Sequence, residues 1–133
     1  MSVGLVLVSH SADLAEGLRE VLEELHGTGV PLAVAAGGPE GELGTGALAI
    51  AGAVESLAGH EGVVLMADLG SAVLSAETAL EQLDPSLRAR VHLADAPFVE
   101  GAVAAASAAA GGADASAVLS AAEATRGRRK LGD

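Results

Sequence analysis

Two unbroken apolar runs, Val3-Gly4-Leu5-Val6-Leu7-Val8 and Gly62-Val63-Val64-Leu65-Met66-Ala67, constrain this chain more than any other feature. Each has the length of a strand, and neither alternates between apolar and polar residues. A strand with one solvated face must alternate, because successive side chains point to opposite sides of the sheet. Unbroken runs therefore belong to strands buried on both faces, the condition of a parallel sheet covered by helices.

The segments between them have helical period. From Ala12 to Leu25, residues Leu14, Leu18, Val21, Leu22 and Leu25 share one face. Ser11 is placed to cap this helix, Asp13 sits in its first turn, and Gly27 and Gly29 end it. Pro31 to Ala36 reads as a second strand, followed by a glycine-rich loop from Gly37 to Gly46. Thr45 can cap a second helix whose inward stripe is Ala47, Ile50, Ala51, Val54, Leu57 and Ala58, with Gly59 as its stop. The third strand runs from Gly62 to Asp68, and Gly70-Ser71 opens a third helix with Val73, Ala76, Leu80 and Leu83 inward. Asp84-Pro85 breaks that helix. Arg90 to Leu93 is a short fourth strand, and Pro97 to Ala110 and Ala115 to Thr125 are alanine-rich helices separated by Gly111-Gly112. The expected fold is a doubly wound α/β domain. Its mostly parallel four-stranded sheet has the order 2-1-3-4 and is flanked by helices. Residues 1–125 form the one domain, and residues 126–133 are a flexible basic tail.

Composition removes several classes of function. The formal charge is −11, which disfavours a nucleic-acid partner, since phosphate backbones are held through Lys and Arg. Phe98 is the one aromatic residue, so no aromatic platform exists for stacking bases or sugars. Without cysteine there is no disulfide, thiol nucleophile or thiolate metal site. No two histidines have the helical spacing of a zinc site, so no metal is expected. No secretory signal and no membrane-spanning run is visible, and the expected location is the cytoplasm, away from any membrane.

The glycine-rich loop lacks the lysine of a phosphate-binding P-loop, and Ser9-His10-Ser11 stands where a dinucleotide fingerprint would place its glycines. No directly bound nucleotide or other cofactor is expected, and the loop is either a mobile connection or a cover over the site. His26, His60 and His92 have contexts that suit solvated or structural roles. His10 differs, because it ends the first strand as Asp68 ends the third. Chemistry in an open α/β sheet collects at the carboxyl ends of strands. An imidazole, with an ordinary pKa of about 6.5, is a nucleophile near neutrality. A neighbouring carboxylate fixes its tautomer and stabilises a charged ring. The helix N-termini after His10 and at Gly70 would bind anions at the same crevice. Such a site suits a phosphoryl group carried on an imidazole nitrogen. The alternative is that both residues merely cap secondary structure. A Ser-His-Asp hydrolase using Ser9 or Ser11 is weaker, since strand neighbours point to opposite faces and no nucleophile elbow is present.

Val6-Leu7-Val8-Ser9-His10-Ser11, the loop into Gly44-Thr45, and Met66-Ala67-Asp68-Leu69-Gly70-Ser71-Ala72 with Ser75-Ala76-Glu77-Thr78-Ala79 carry a resemblance, extended by Ala96-Pro97-Phe98-Val99-Glu100-Gly101. From about residue 3 to 110 the chain resembles the mannose-type IIA family of the phosphoenolpyruvate-dependent phosphotransferase system, in the form that serves bacterial dihydroxyacetone kinase. Mannose IIA domains proper more often carry an aromatic and a second glycine after the aspartate, and this chain has neither. The resemblance implies a phosphotransferase component with a transient phosphohistidine at His10. HPr would be the donor, and ADP held by the DhaL subunit the acceptor. DhaK, which binds dihydroxyacetone, would be served indirectly. Asp68 would orient the imidazole, and Ser11, Thr45, Gly70 and Ser71 would contact the phosphate. The family also implies a homodimer, in which an edge strand from the partner can extend the sheet. Some members fuse HPr-like and enzyme-I-like domains after this one, so this chain is expected to draw phosphate from separate proteins. Two other assignments stay open: a sugar-transporter IIA component passing phosphate to a IIB domain, and a non-catalytic regulatory module that senses phosphorylation.

Overall fold

The computed structural model describes residues 2–38 and 46–132. Among these residues four strands form one parallel sheet in the order β2-β1-β3-β4: β1 Val3–Ser9, β2 Leu32–Ala36, β3 Gly62–Ala67 and β4 Val91–Leu93. The helices are α1 Ala12–His26, α2 Ala47–Ser56, α3 Gly70–Glu81, α4 Pro85–Arg88, α5 Phe98–Ala110 and α6 Ala115–Ala124, with a short 3₁₀ turn at Thr125–Gly127. The expected order and the all-apolar central strands are both present. Every residue of β1 and β3 is buried.

Strand alternation divides the core into two layers. Val6, Val8, Val63 and Leu65 face α2 and α3, where Ile50, Val54, Ala72 and Ala76 meet them. Leu5, Leu7, Val64 and Met66 face α1, α5 and α6, against Leu18, Leu22, Ala102, Ala105 and Val118. On this second side the helices bring small residues. Gly101 lets α5 settle on the sheet, since a Cβ there would lie 2.6 Å from Met66 Cε and 2.9 Å from Ala96 Cβ. Gly62 plays the same part beneath α6, where a Cβ would stand 2.6 Å from Ala115 Cβ. Ala115 Cβ cannot yield without moving its backbone, so Gly62→Ala should cost about 1–3 kcal/mol of stability. A lowered denaturant midpoint with an unchanged m-value would show this.

Three details differ from the sequence reading. Of the expected inward stripe of α1, only Leu18 and Leu22 are buried, joined by Ala15. Leu14, Val21 and Leu25 are exposed. The apolar arc of this helix is wider than the sheet can cover, and the covered half is the one shared with Ala15. α3 stops at Glu81, short of the expected break at Asp84-Pro85, and the chain there starts α4, with Pro85 at its first turn and the Asp84 carboxylate accepting from Ser86 N–H. Arg90 lies outside β4, and its guanidinium instead donates to the carbonyls of His60 and Ala58 at 2.5 and 2.7 Å.

The expected Thr45 cap and most of the glycine-rich loop fall in residues 39–45, outside the described residues. At the basic end, Arg126 pairs with Asp95 at 2.6 Å and Lys130 with Glu100 at 2.8 Å. Among the described residues no helix is long and apolar enough to cross a membrane.

Candidate active site

The carboxyl ends of β1 and β3 bring His10 and Asp68 together. The register pairs Leu7 with Met66 and Val8 with Ala67, so Ser9 stands level with Asp68 on the same face. Pairing continues one step past the strand, where Asp68 N–H donates to Val8 C=O at 3.1 Å. The carboxylate is then enclosed by donors. Its Oδ2 accepts from Ser9 Oγ at 2.8 Å and from His10 N–H at 3.0 Å. Its Oδ1 accepts from Leu69 N–H at 2.7 Å and faces His10 Nδ1 at 3.0 Å.

The Asp68 side chain is 7% exposed and that of His10 is 23% exposed. Burial alone would raise the Asp68 pKa. The bonds from His10 N–H, the His10 ring, Ser9 and Leu69 N–H outweigh it and hold the group below its ordinary 3.8. An ionised Asp68 has only acceptors to offer, so Nδ1 of His10 must carry a proton. That leaves the lone pair on Nε2, the more exposed side of the ring. Nε2 is in direct contact with the hydroxyl of Ser71, in the first turn of α3.

The two helix ends at this crevice are not equivalent. The α1 end is closed, because its cap Ser11 accepts from Leu14 N–H at 3.2 Å and donates its own N–H to Ser9 Oγ at 3.1 Å. The α3 end is open: its cap residue is Leu69, which supplies no side-chain hydrogen bond. First-turn N–H groups have no partner within a helix and carry the positive end of its dipole. The open end, starting at Gly70 and Ser71, is therefore the one with free N–H groups to offer an anion, and Ser71 places it against His10 Nε2.

The predicted residues thus divide. His10, Asp68, Gly70 and Ser71 are assembled around one point, Ser11 is engaged in capping, and Thr45 lies outside the described residues. Ser9, which the sequence offers only as a weak hydrolase nucleophile, belongs to the site instead as a support for Asp68. Its hydroxyl, wholly buried, bridges Asp68 and the turn into α1. A polar residue ending an otherwise apolar strand was the signal, because a buried hydroxyl needs a partner. The other histidines stay out of the crevice: His60 Nδ1 meets Ser2 Oγ at 2.8 Å, His92 lies in β4, and His26 ends α1. No cluster of potential metal ligands occurs among the described residues.

Known proteins share this architecture. The family model EIIA-man, described as the PTS system fructose IIA component, matches residues 4–119. A phosphoryl donor subunit DhaM of a PEP-dependent dihydroxyacetone kinase from Listeria innocua is 45% identical over 104 residues, covering 78% of this chain and 83% of that protein. The DhaM of Escherichia coli (strain K12) is 48% identical over 115 residues, covering 84% of this chain but 24% of that one. That of Providencia stuartii is 44% identical over 124 residues, covering 91% and 26%. The chain thus spans about a quarter of the length of these two relatives. The crystal structure of a protein of unknown function, EF1359, superposes with a TM-score of 0.89 at 32% identity, covering 99% of this chain and 100% of that one. On its matched length, its fold and its likeness to DhaM subunits, the chain belongs to the mannose-type IIA (EIIA-man) family of the phosphotransferase system.

Proposed function

We propose that this chain is a phosphohistidine carrier for a dihydroxyacetone kinase. His10 Nε2 takes a phosphoryl group from phospho-HPr and passes it to ADP held on the DhaL subunit. The ATP so regenerated serves phosphorylation of dihydroxyacetone on DhaK. The names of the DhaM relatives support the kinase setting. The observation that carries the chemistry is the locked imidazole, with Nδ1 on the Asp68 carboxylate and Nε2 at the open end of α3.

The step balances without an external base. The Nε2 lone pair attacks phosphorus as the donor's phosphorus–nitrogen bond breaks, and Nδ1 keeps its proton. The phosphorylated ring is cationic and faces a carboxylate, while N–H groups of the first α3 turn and the Ser71 hydroxyl can meet the phosphoryl oxygens. In the second transfer an ADP phosphate oxygen attacks and Nε2 leaves. The chain works as a homodimer in the cytoplasm, and an edge strand from a second copy can lie against β4.

Incubation with phosphoenolpyruvate, enzyme I and HPr should place one acid-labile phosphate per chain. ADP-loaded DhaL should discharge it. Discharge to a IIB protein but not to DhaL would assign the chain to sugar transport. A label with no acceptor would make it a regulatory module, and absence of label would end the carrier reading.

One observation favours a second reading. Ser71, His10 and Asp68 have the connectivity of a hydrolase triad. A fluorophosphonate probe would modify Ser71 if that serine were an activated nucleophile, and the carrier reading expects no modification.

A further inference from the structure

A second hollow lies away from His10, on the outer side of α5. It has a volume of about 740 Å³, within the range of small-molecule sites. Leu25 of α1 and Val103 and Ala104 of α5 supply apolar wall, and the tail after α6 forms the other side. The charge there runs against the rest of the molecule. Four of the seven Lys and Arg residues of a chain with net charge −11 line this one cavity.

Two of those cations have work already. Arg126 is paired with Asp95, and Lys130 with Glu100. These pairs lay the tail beside α5. Arg128 and Arg129 line the same cavity and have no ion pair among the described residues. His26, at the end of α1, also lines the cavity. Neither phosphoryl transfer nor the packing of the fold uses any of these groups.

We propose that this cavity binds a small organic anion with an apolar body. Its acidic head, a carboxylate, sulfonate or phosphate ester, lies between the guanidinium groups of Arg128 and Arg129. Arginine suits this task because its planar fork matches such oxyanions. The apolar body fills the space against Leu25, Val103 and Ala104.

Anilinonaphthalene sulfonate, an anion with an aromatic body, is a suitable probe for the full chain. Fluorescence titration should give one site per chain. Arg128→Ala/Arg129→Ala removes two charge-assisted contacts, each worth about tenfold or more, and should weaken binding by about a hundredfold. Ala104→Phe, which fills the cavity from a half-exposed helical position, should weaken it as well. N-phenylnaphthylamine, which lacks the sulfonate, should bind far less well. The arginine variant touches no core residue and should keep its melting temperature and its His10 labelling rate. The proposal fails if the arginine variant binds the probe as well as the parent, or if the neutral analogue binds equally. It fails too if sedimentation finds a dimer that Ala104→Phe dissociates, for the hollow would then be a contact between copies.

Discussion

Replacing His10 by alanine is expected to abolish phosphoryl uptake while the fold survives. The reacting nitrogen disappears, and no other group at the crevice can carry the phosphate by the same route. Ser71 and Ser9 are hydroxyls without a base once the imidazole has gone, and Ser9 is committed to Asp68. Labelling from phosphoenolpyruvate through enzyme I and HPr should therefore fall to background. Stability should change by no more than about 1 kcal/mol, as at most partly exposed sites. Asp68 keeps three of its four donors in the variant: Ser9 Oγ, His10 N–H (now the alanine N–H) and Leu69 N–H. Circular dichroism and the denaturation midpoint would confirm the intact fold, and residual labelling at the parent rate would overturn the role given to His10.

The fold was legible because burial on both faces leaves a plain mark. Val3 to Val8 and Gly62 to Ala67 could not be solvated strands, and the helical segments between them left a parallel sheet as the economical arrangement. His10 and Asp68 were legible for a related reason: each is the first ionisable group after such a run. What the sequence did not reveal depends on relative placement. Ser9 meets Asp68 only because the β1–β3 register sets Leu7 beside Met66, and register is not encoded at any single residue. The half-exposed face of α1 was hidden for the same cause. Leu14, Val21 and Leu25 have the spacing of buried residues, and only the angle at which α1 meets the sheet separates them from Leu18 and Leu22. The basic cavity likewise joins the end of α1 to a tail about a hundred residues later, a contact that periodicity cannot report.

Asp68→Asn should have the second largest effect, and it separates orientation from charge. The native carboxylate accepts two donors at each oxygen. An amide replaces one of those oxygens by a donor. If the amide nitrogen faces the ring, it donates to Nδ1, the proton moves to Nε2, and the nucleophilic lone pair is lost. If it faces Ser9, the ring keeps its tautomer, but His10 N–H is left against another donor. In both cases the positive charge on a phosphorylated ring loses its counter-ion. The comparable change in a serine-protease triad costs about 10⁴-fold in rate, and a loss of roughly 10²- to 10⁴-fold is expected here. Rapid-quench labelling with phospho-HPr would measure it.

The same substitution has a distinct pH signature. The pKa of Asp68 in the folded chain lies below the ordinary 3.8, so near that value the unfolded chain binds more protons than the folded one. Stability from this carboxylate is then complete above the ordinary value and is lost as pH falls through the folded one. The stability gap between parent and Asp68→Asn should be constant at neutral pH and narrow below about pH 4. A gap that instead widened on acidification would mean that the carboxyl is protonated in the folded chain, and Nδ1 would then have no obligatory proton to hold.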